Sequence, residues 1–133
     1  TLKVATRFVT DCIETMEGGE VFIPKMPSMR ITDLAEALAP GVKRTIVGIR
    51  PGEKIHEILL TADEARHATD RGDFYAIHPE FNYWNAELPR GEELPPGFCY
   101  SSDDNAEQLS VDELSHLRES HHDPVRTSLE LSS

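Results

Sequence analysis

The sequence lacks long apolar runs, since no stretch reaches the roughly 18 apolar residues that a membrane-spanning helix needs. The N-terminus also lacks the charged, apolar and small-residue order of a secretion signal. Cysteine is scarce: Cys12 and Cys99 are the two present, and neither belongs to a CxxC pair. This excludes a disulfide scaffold, a zinc ribbon and a thioredoxin-like motif. We therefore expect no membrane partner and a reducing, cytoplasmic location.

Basic side chains are few, with 13 Lys and Arg against 24 Asp and Glu, so the net charge of the 133 residues is -11. Nucleic acid and anionic lipid are therefore not expected partners, because phosphate neutralisation needs a clustered basic surface. Positions 61–133 carry all of the excess negative charge. Cations for an anionic ligand should come from the first half of the chain, which holds Lys25, Arg30, Lys43, Arg44, Arg50 and Lys54.

Motifs that cradle phosphate or supply a nucleophile are also missing. GxGxxG, GxxxxGK(S/T) and GxSxG do not occur, and no tyrosine is followed four residues later by lysine. We therefore predict no catalytic and no cofactor-binding residue in this chain. A metal site is not predicted either, because the spacing of its candidate ligands matches no established zinc pattern; these are His116, His121, His122 and Asp123.

Apolar residues at three- and four-residue steps predict a helix over 2–16 with one buried face, ended by Gly18-Gly19. The apolar runs 21–23, 45–49 and 74–77 predict strands. Positions 55–60 could form a strand or a single helical turn, and extended structure is the favoured interpretation. A helix over 33–39 is expected, with Thr32 as its N-cap and Pro40-Gly41 as its stop.

Two capping boxes mark further helix starts, in which a hydroxyl and a glutamate satisfy each other's backbone donors. Thr61 with Glu64 predicts a short helix near Ala62, and Ser110 with Glu113 predicts a terminal helix. Positions 79–105 are predicted to form an ordered segment without regular secondary structure. The elements define an α+β fold, a small mixed α/β lobe rather than a complete doubly wound sheet. The missing initiator methionine indicates either processing or, as the favoured interpretation, a segment of something longer.

The strongest candidate site is the charged Pro-Gly turn at 50–54. A strand that delivers Arg50 to a rigid turn would present its planar guanidinium to two phosphate oxygens at once. Glu53 could accept hydrogen bonds from ligand hydroxyls or hold Arg50 in its binding rotamer. The alternative is a solvated, salt-bridged turn without a ligand.

Two other groups have simpler explanations. His56 and Glu57 could act as an acid–base pair, but consecutive side chains of an extended segment point to opposite faces. The aromatic side chains at 81–84 could stack on a base or sugar ring. Anchoring of their Pro-rich loop on the core is the favoured interpretation for Phe81, Tyr83 and Trp84.

Four blocks of sequence together resemble one family. They are GGEVFIPKMPSM at 18–29, DLAEA at 33–37 with Ala39-Pro40, IVGIRPGEKIHE at 46–57 and FCYSSDDN at 98–105. In this order they resemble the C-terminal half of the inverting UDP-N-acetylglucosamine 4,6-dehydratases, which are extended short-chain dehydrogenase/reductases. Family members oxidise C4 of the sugar with NADP, eliminate water across C5–C6 and return the hydride with inversion at C5, for surface-glycan synthesis.

The resemblance implies a substrate-binding lobe over 1–119 without the Rossmann half. Positions 120–133 lose the apolar face of the terminal helix, so we expect a mobile tail there. The NADP and the catalytic residues would belong to the parent enzyme, so this chain alone would be inactive. Arg50 would grip the pyrophosphate of a UDP-sugar, and Glu53 would contact the nucleotide or orient Arg50. The missing dinucleotide-binding half or a second copy are possible partners. An alternative is a non-catalytic protein-interaction module derived from the same lobe.

Overall fold

The structure, a computed structural model, describes residues 2–81 and 91–120. The chain divides into two units. The first comprises 1–26 and 55–105, and the second comprises 27–54 and 106–133. The described residues contain both helices and short strands, which is consistent with the expected α+β class. The prediction of one lobe over 1–119 stays a prediction, and the predicted tail beyond position 120 lies outside the described residues.

The first unit contains helix α1 (Leu2–Thr15) and two antiparallel sheets. Four strands form one sheet in the order β1-β4-β3-β5, and β2 pairs with β6 in the other. The strands are β1 (Val21–Pro24), β2 (Ile58–Leu60), β3 (Ala68–Asp70), β4 (Phe74–Ile77), β5 (Glu92–Glu93) and β6 (Tyr100–Ser101). A 3-10 helix, Glu64–His67, leads directly into β3.

A small core lies within the first unit because apolar side chains of both sheets and of the 3-10 helix meet there. Tyr75 is its centre: its ring lies 5.3 Å from that of Phe98 and 5.2 Å from that of Tyr100. The buried members are Ile23, Leu60, Ala65, Ala68, Tyr75 and Tyr100. Gly91 lets β5 approach β3, since a Cβ there would lie 2.5 Å from the Asp70 carbonyl oxygen.

The second unit contains helix α2 (Ile31–Leu38) and helix α3 (Val111–Ser120), which pack on each other with Ala37 and Leu114 buried. The Arg118 guanidinium donates to the carbonyl oxygens of Ala37 and Leu38 at 3.2 and 3.3 Å. Cations at the carboxyl end of a helix offset its negative dipole end and satisfy unpaired carbonyls. Arg118 therefore fixes the end of α2 to α3.

Several predicted elements are confirmed. The helix over 2–16 is α1, the strands at 21–23 and 74–77 are β1 and β4, and extended structure occurs at 58–60. Both capping boxes are present: Glu64 accepts from the Thr61 backbone and hydroxyl, and Glu113 accepts from those of Ser110. Local sequence rules are sufficient here, because each contact joins residues that are close in the chain.

The predicted strand over 45–49 is wrong. These residues form no strand, and Ile46 is 96% exposed. A β-rich sequence becomes a strand only when another strand completes its hydrogen-bond ladder. The described residues supply no such partner, and the segment therefore remains an irregular loop.

Other corrections concern helix ends and burial. The cap of α2 is Arg30 rather than Thr32, with no side-chain capping bond, and the helix near Ala62 is a 3-10 helix beginning at Glu64. The buried face expected of α1 is also wrong: none of its residues is buried. The segment at 79–105 is not wholly irregular either, since β5 and β6 lie within it.

Candidate functional site

The turn at positions 50–53 has a fixed backbone. The Glu53 amide donates to the Arg50 carbonyl oxygen at 3.1 Å, and Gly52 has a φ of +88°. Proline followed by a glycine of positive φ is the pattern of a type II turn. A Cβ at Gly52 would meet no atom within 4 Å, so the backbone conformation rather than space requires glycine here. The predicted Pro-Gly turn is therefore present.

Glu53 holds Arg50 mainly through the backbone. Its carboxylate accepts from the Arg50 amide at 2.9 Å, whereas the Arg50 Nε lies 4.0 Å from Glu53 Oε1. The Arg50 side chain is 80% exposed. Its planar fork thus remains open to solvent, where it can donate two parallel hydrogen bonds to a phosphate or carboxylate. The assignment of Arg50 and Glu53 as ligand residues stays a prediction.

The other candidate cations divide into paired and unpaired side chains. Lys25 donates to both Asp70 carboxylate oxygens at 2.8 Å, with its ammonium 4.7 Å from the Tyr75 ring centroid. Arg44 is paired with Glu36. By contrast, the described part of the chain places no carboxylate within 4.0 Å of Arg30, Lys43 or Lys54.

Paired carboxylates in both units have lowered pKa values. Burial disfavours the charged form of Asp70, but hydrogen bonds from Lys25 and the Gly72 amide outweigh it and lower the pKa of that carboxyl. The hydrogen bond from Arg44 lowers the pKa of Glu36, with a further contribution from the Gly41 amide. Both groups are therefore ionised at neutral pH, so Lys25 and Arg44 are already engaged by internal anions.

The neighbouring His56 and Glu57 have separate surroundings. The Glu57 backbone pairs with Ser102, whose amide donates to the Glu57 carbonyl oxygen at 2.9 Å and whose hydroxyl accepts from the Glu57 amide at 3.0 Å. His56 contributes to a lowered pKa of Asp103, which arises first from the Ser101 hydroxyl hydrogen bond. Glu57 thus has a backbone role, and the expectation that the two do not act as a pair stays a prediction.

The remaining candidates form no site among the residues that the structure describes. Among residues 2–81 and 91–120, no three His, Cys, Asp or Glu side chains are grouped so that they could hold a metal ion. His116 lies on α3, whereas His121, His122 and Asp123 are outside the described residues. Phe81 is 62% exposed, so the expected anchoring of this side chain on the core is wrong. Tyr83 and Trp84 fall outside the described residues. Within the same ranges, no helix has the length and apolar character needed to cross a membrane.

A cavity of about 610 Å³ in the first unit was missed by sequence analysis. Residues of the 3-10 helix, β3 and β5 line it, together with His78 after β4. The His78 Nε2 lies 2.9 Å from the buried Thr69 hydroxyl, and burial, aided by the charge of Arg71, lowers the pKa of the imidazole. These residues come together through strand pairing, and no motif or spacing in the sequence indicates it.

The family of the chain follows from comparison with known proteins. A family model described as "Polysaccharide biosynthesis protein" matches residues 1–79, more than half of the chain. The chain therefore belongs to the polysaccharide biosynthesis protein family. The resemblance to the inverting UDP-N-acetylglucosamine 4,6-dehydratases is confirmed by the individual relatives.

The UDP-N-acetylglucosamine 4,6-dehydratase (inverting) of Campylobacter jejuni subsp. jejuni serotype O:2 is 43% identical over 121 residues, covering 85% of this chain and 36% of the relative. The UDP-glucose 4-epimerase of Rickettsia bellii is 31% identical, covering 84% of this chain and 38% of the relative. The solved structure of Pen from Bacillus thuringiensis matches with a TM-score of 0.74 and 30% identity, covering 90% of this chain and 37% of Pen. The chain thus spans little more than a third of the length of each.

Proposed function

We propose that this chain is the UDP-sugar-binding lobe of a nucleotide-sugar 4,6-dehydratase, acting on UDP-N-acetylglucosamine in surface-glycan synthesis in the cytoplasm. The observation that carries the proposal is the exposed guanidinium of Arg50 on a fixed turn, in a chain 43% identical to an enzyme named for that substrate. Arg50 binds the diphosphate in this proposal. Glu53 holds the turn and orients Arg50.

The diphosphate is the part of the ligand that this turn suits best. A guanidinium donates two parallel hydrogen bonds to one phosphate group, and the rigid turn reduces the conformational freedom lost on binding. The unpaired ammonium groups of Lys43 and Lys54 add positive charge to the same unit. Arg44 of this unit is already neutralised by Glu36.

NADP does not fit the described residues. A dinucleotide is held at a glycine-rich turn between a parallel strand and a helix, whereas every pairing between the strands described here is antiparallel. We therefore assign NADP and the catalytic residues to the remainder of the parent enzyme and derive no step through them. The chain alone is proposed to bind the sugar nucleotide without converting it.

The test is a titration of the chain with UDP-N-acetylglucosamine, followed by two-dimensional amide NMR and by calorimetry. We expect shifts concentrated at 49–54. Arg50→Ala should weaken binding by about 1.5–3 kcal/mol, the range for hydrogen bonds to charged groups. Arg66→Ala is the matched control, since Arg66 is also an exposed arginine ion-paired three residues away, with Asp63 at 3.3 Å. Equal affinities of the wild-type and Arg50→Ala chains would reject the assignment.

One observation favours a second candidate, a protein-interaction module. Helix α1 leaves the large apolar side chains of Leu2, Val9 and Ile13 exposed on the first unit, and Met16, directly after the helix, is exposed as well. Exposed apolar patches often mark protein interfaces. The proposed partner is the part of the family fold that the relatives have in addition to this span, or a second copy. Here Ile13→Asp should abolish association in size-exclusion chromatography with light scattering, while Arg50→Ala should leave it unchanged.

A further inference from the structure

The loop that carries Arg50 has one tie to helix α2. Glu36, near the end of that helix, accepts from the Gly41 amide through Oε1 at 3.3 Å and from the Arg44 guanidinium through Oε2. Both donors lie beyond the point where α2 ends. A single carboxylate therefore folds the first residues of the loop back onto the helix.

The helix end that provides this tie is itself fixed. Arg118 of α3 donates to the last carbonyl groups of α2, at Ala37 and Leu38, and Ala37 is buried. Glu36 precedes these residues directly. The tie thus connects the loop to the helix that packs on α3.

The rest of the loop has little else to order it. In the described part of the chain, positions 45–49 form no hydrogen bond with another segment, and Ile46 and Val47 are exposed. Order returns at the Arg50–Glu53 turn. The direction in which that turn presents Arg50 therefore depends on where the loop starts.

We infer that Glu36 and Arg44 are a positioning pair, which fixes the start of the loop so that Arg50 meets the diphosphate of a UDP-sugar. The inference rests on the proposed function of Arg50. Glu36 and Arg44 do not contact the ligand in this account. They reduce the number of loop conformations that binding must exclude, which is how preorganisation raises affinity.

Whether Glu36→Ala weakens or strengthens ligand binding decides between positioning of the loop and direct contact of Arg44 with the ligand. If the pair positions the loop, Glu36→Ala and Arg44→Ala each weaken UDP-N-acetylglucosamine binding about two- to fivefold, as exposed ion pairs do. The double variant should then bind as tightly as the weaker-binding of the two single variants, because both substitutions remove the same tie. If Arg44 instead binds phosphate itself, Glu36→Ala releases it and strengthens binding, which overturns the inference.

Two further variants separate positioning from a general loss of structure. Arg44→Lys keeps a charged donor for Glu36 and should restore binding to within about twofold of the wild-type chain. Arg7→Ala removes another exposed, ion-paired arginine, on α1, and should change nothing. Failure of the lysine variant to restore binding, or an equal loss in Arg7→Ala, contradicts a positioning role.

A measurement without ligand keeps the inference separate from the proposed function. The heteronuclear NOE of the Gly48 amide should fall in Arg44→Ala and Glu36→Ala, since the loop has lost its tie. An unchanged NOE in both variants rejects the tie, whatever the binding data show. If Arg50→Ala leaves binding intact while the NOE falls as expected, the proposed function fails and the tie remains.

Discussion

The two units of this chain are stabilised in different ways. The first has a core of aromatic and aliphatic side chains around Tyr75, whereas the second buries Ala37 and Leu114 and relies on side-chain ties to backbone groups. The candidate turn lies in the second. Loops that carry binding residues are generally less packed than the elements that support them. Truncation of apolar side chains should therefore destabilise the first unit most. Loss of side-chain hydrogen bonds to backbone groups should instead destabilise the second unit most.

The largest effect is expected from Leu60→Ala in the first unit. Leu60 has an exposure of 0%, and its truncation should cost about 2–5 kcal/mol through lost transfer energy and a cavity. Urea unfolding followed by circular dichroism measures this free energy. Ile46→Ala, at a large apolar residue of the second unit that is 96% exposed, should stay within about 0.5 kcal/mol of the wild type. Similar losses of unfolding free energy in both variants would contradict the contrast between the two units.

Tyr100→Phe tests whether a polar tie also matters in the first unit. The Tyr100 hydroxyl accepts from the Met26 amide at 2.7 Å and donates to the Met26 carbonyl oxygen at 2.8 Å. Removing it leaves the half-buried amide without this partner, so we expect a loss of about 1–3 kcal/mol in the same urea experiment. A loss below the error of the measurement would mean that water replaces the hydroxyl.

The two capping boxes permit a matched comparison between the units. Ser110→Ala removes the cap of the ten-residue α3, and Thr61→Ala removes that of the four-residue 3-10 helix. Cap removal costs about 0.5–2 kcal/mol. We expect Ser110→Ala to lower the free energy of unfolding more than Thr61→Ala does. The 3-10 helix is also held by the core through Ala65, whereas α3 packs on α2. Thermal unfolding with Ser110→Thr as the conservative control gives the comparison, and a larger loss in Thr61→Ala would reverse it.

The smallest effect is the pH dependence of the Lys25–Asp70 pair. The folded pKa of Asp70 is lowered, so the pair's stability is present above the unfolded carboxyl pKa and is lost as the pH falls through the lower, folded value. The pKa of Lys25 is raised in the folded state. The stability that Lys25 contributes is therefore present up to alkaline pH and is lost as the pH rises through this folded-state pKa. Asp70→Asn should cost about 0.5–1 kcal/mol near neutral pH and less near pH 2. A cost independent of pH in urea unfolding would exclude the ion pair as its source.

Prediction from sequence succeeded where a pattern is local and failed where a partner was needed. The helix over 2–16 follows from its apolar period, but its exposed face could not be foreseen, since burial depends on what packs against it. The run at 45–49 has strand composition without a strand neighbour. Strand β3 was missed because Ala68–Asp70 is three residues long and carries no apolar alternation.

The candidate site likewise has features that were predicted from the sequence and features that were not. The Pro-Gly turn was predicted from its residues, and the structure has it. The pairing of Arg44 with Glu36, and the cavity beside His78, were not predicted. Each depends on which of many nearby charged or polar groups the folded chain brings within hydrogen-bond distance.

By itself, the sequence determined which segments are helical, both capping boxes, the turn at 50–53 and the family, because each depends on residues near one another in the chain or on their order. Only the tertiary structure decided which cations are engaged. Lys25 and Asp70 are 45 positions apart and meet through the pairing of β1 and β3 with β4. Such contacts follow from strand register, which many distant residues set together.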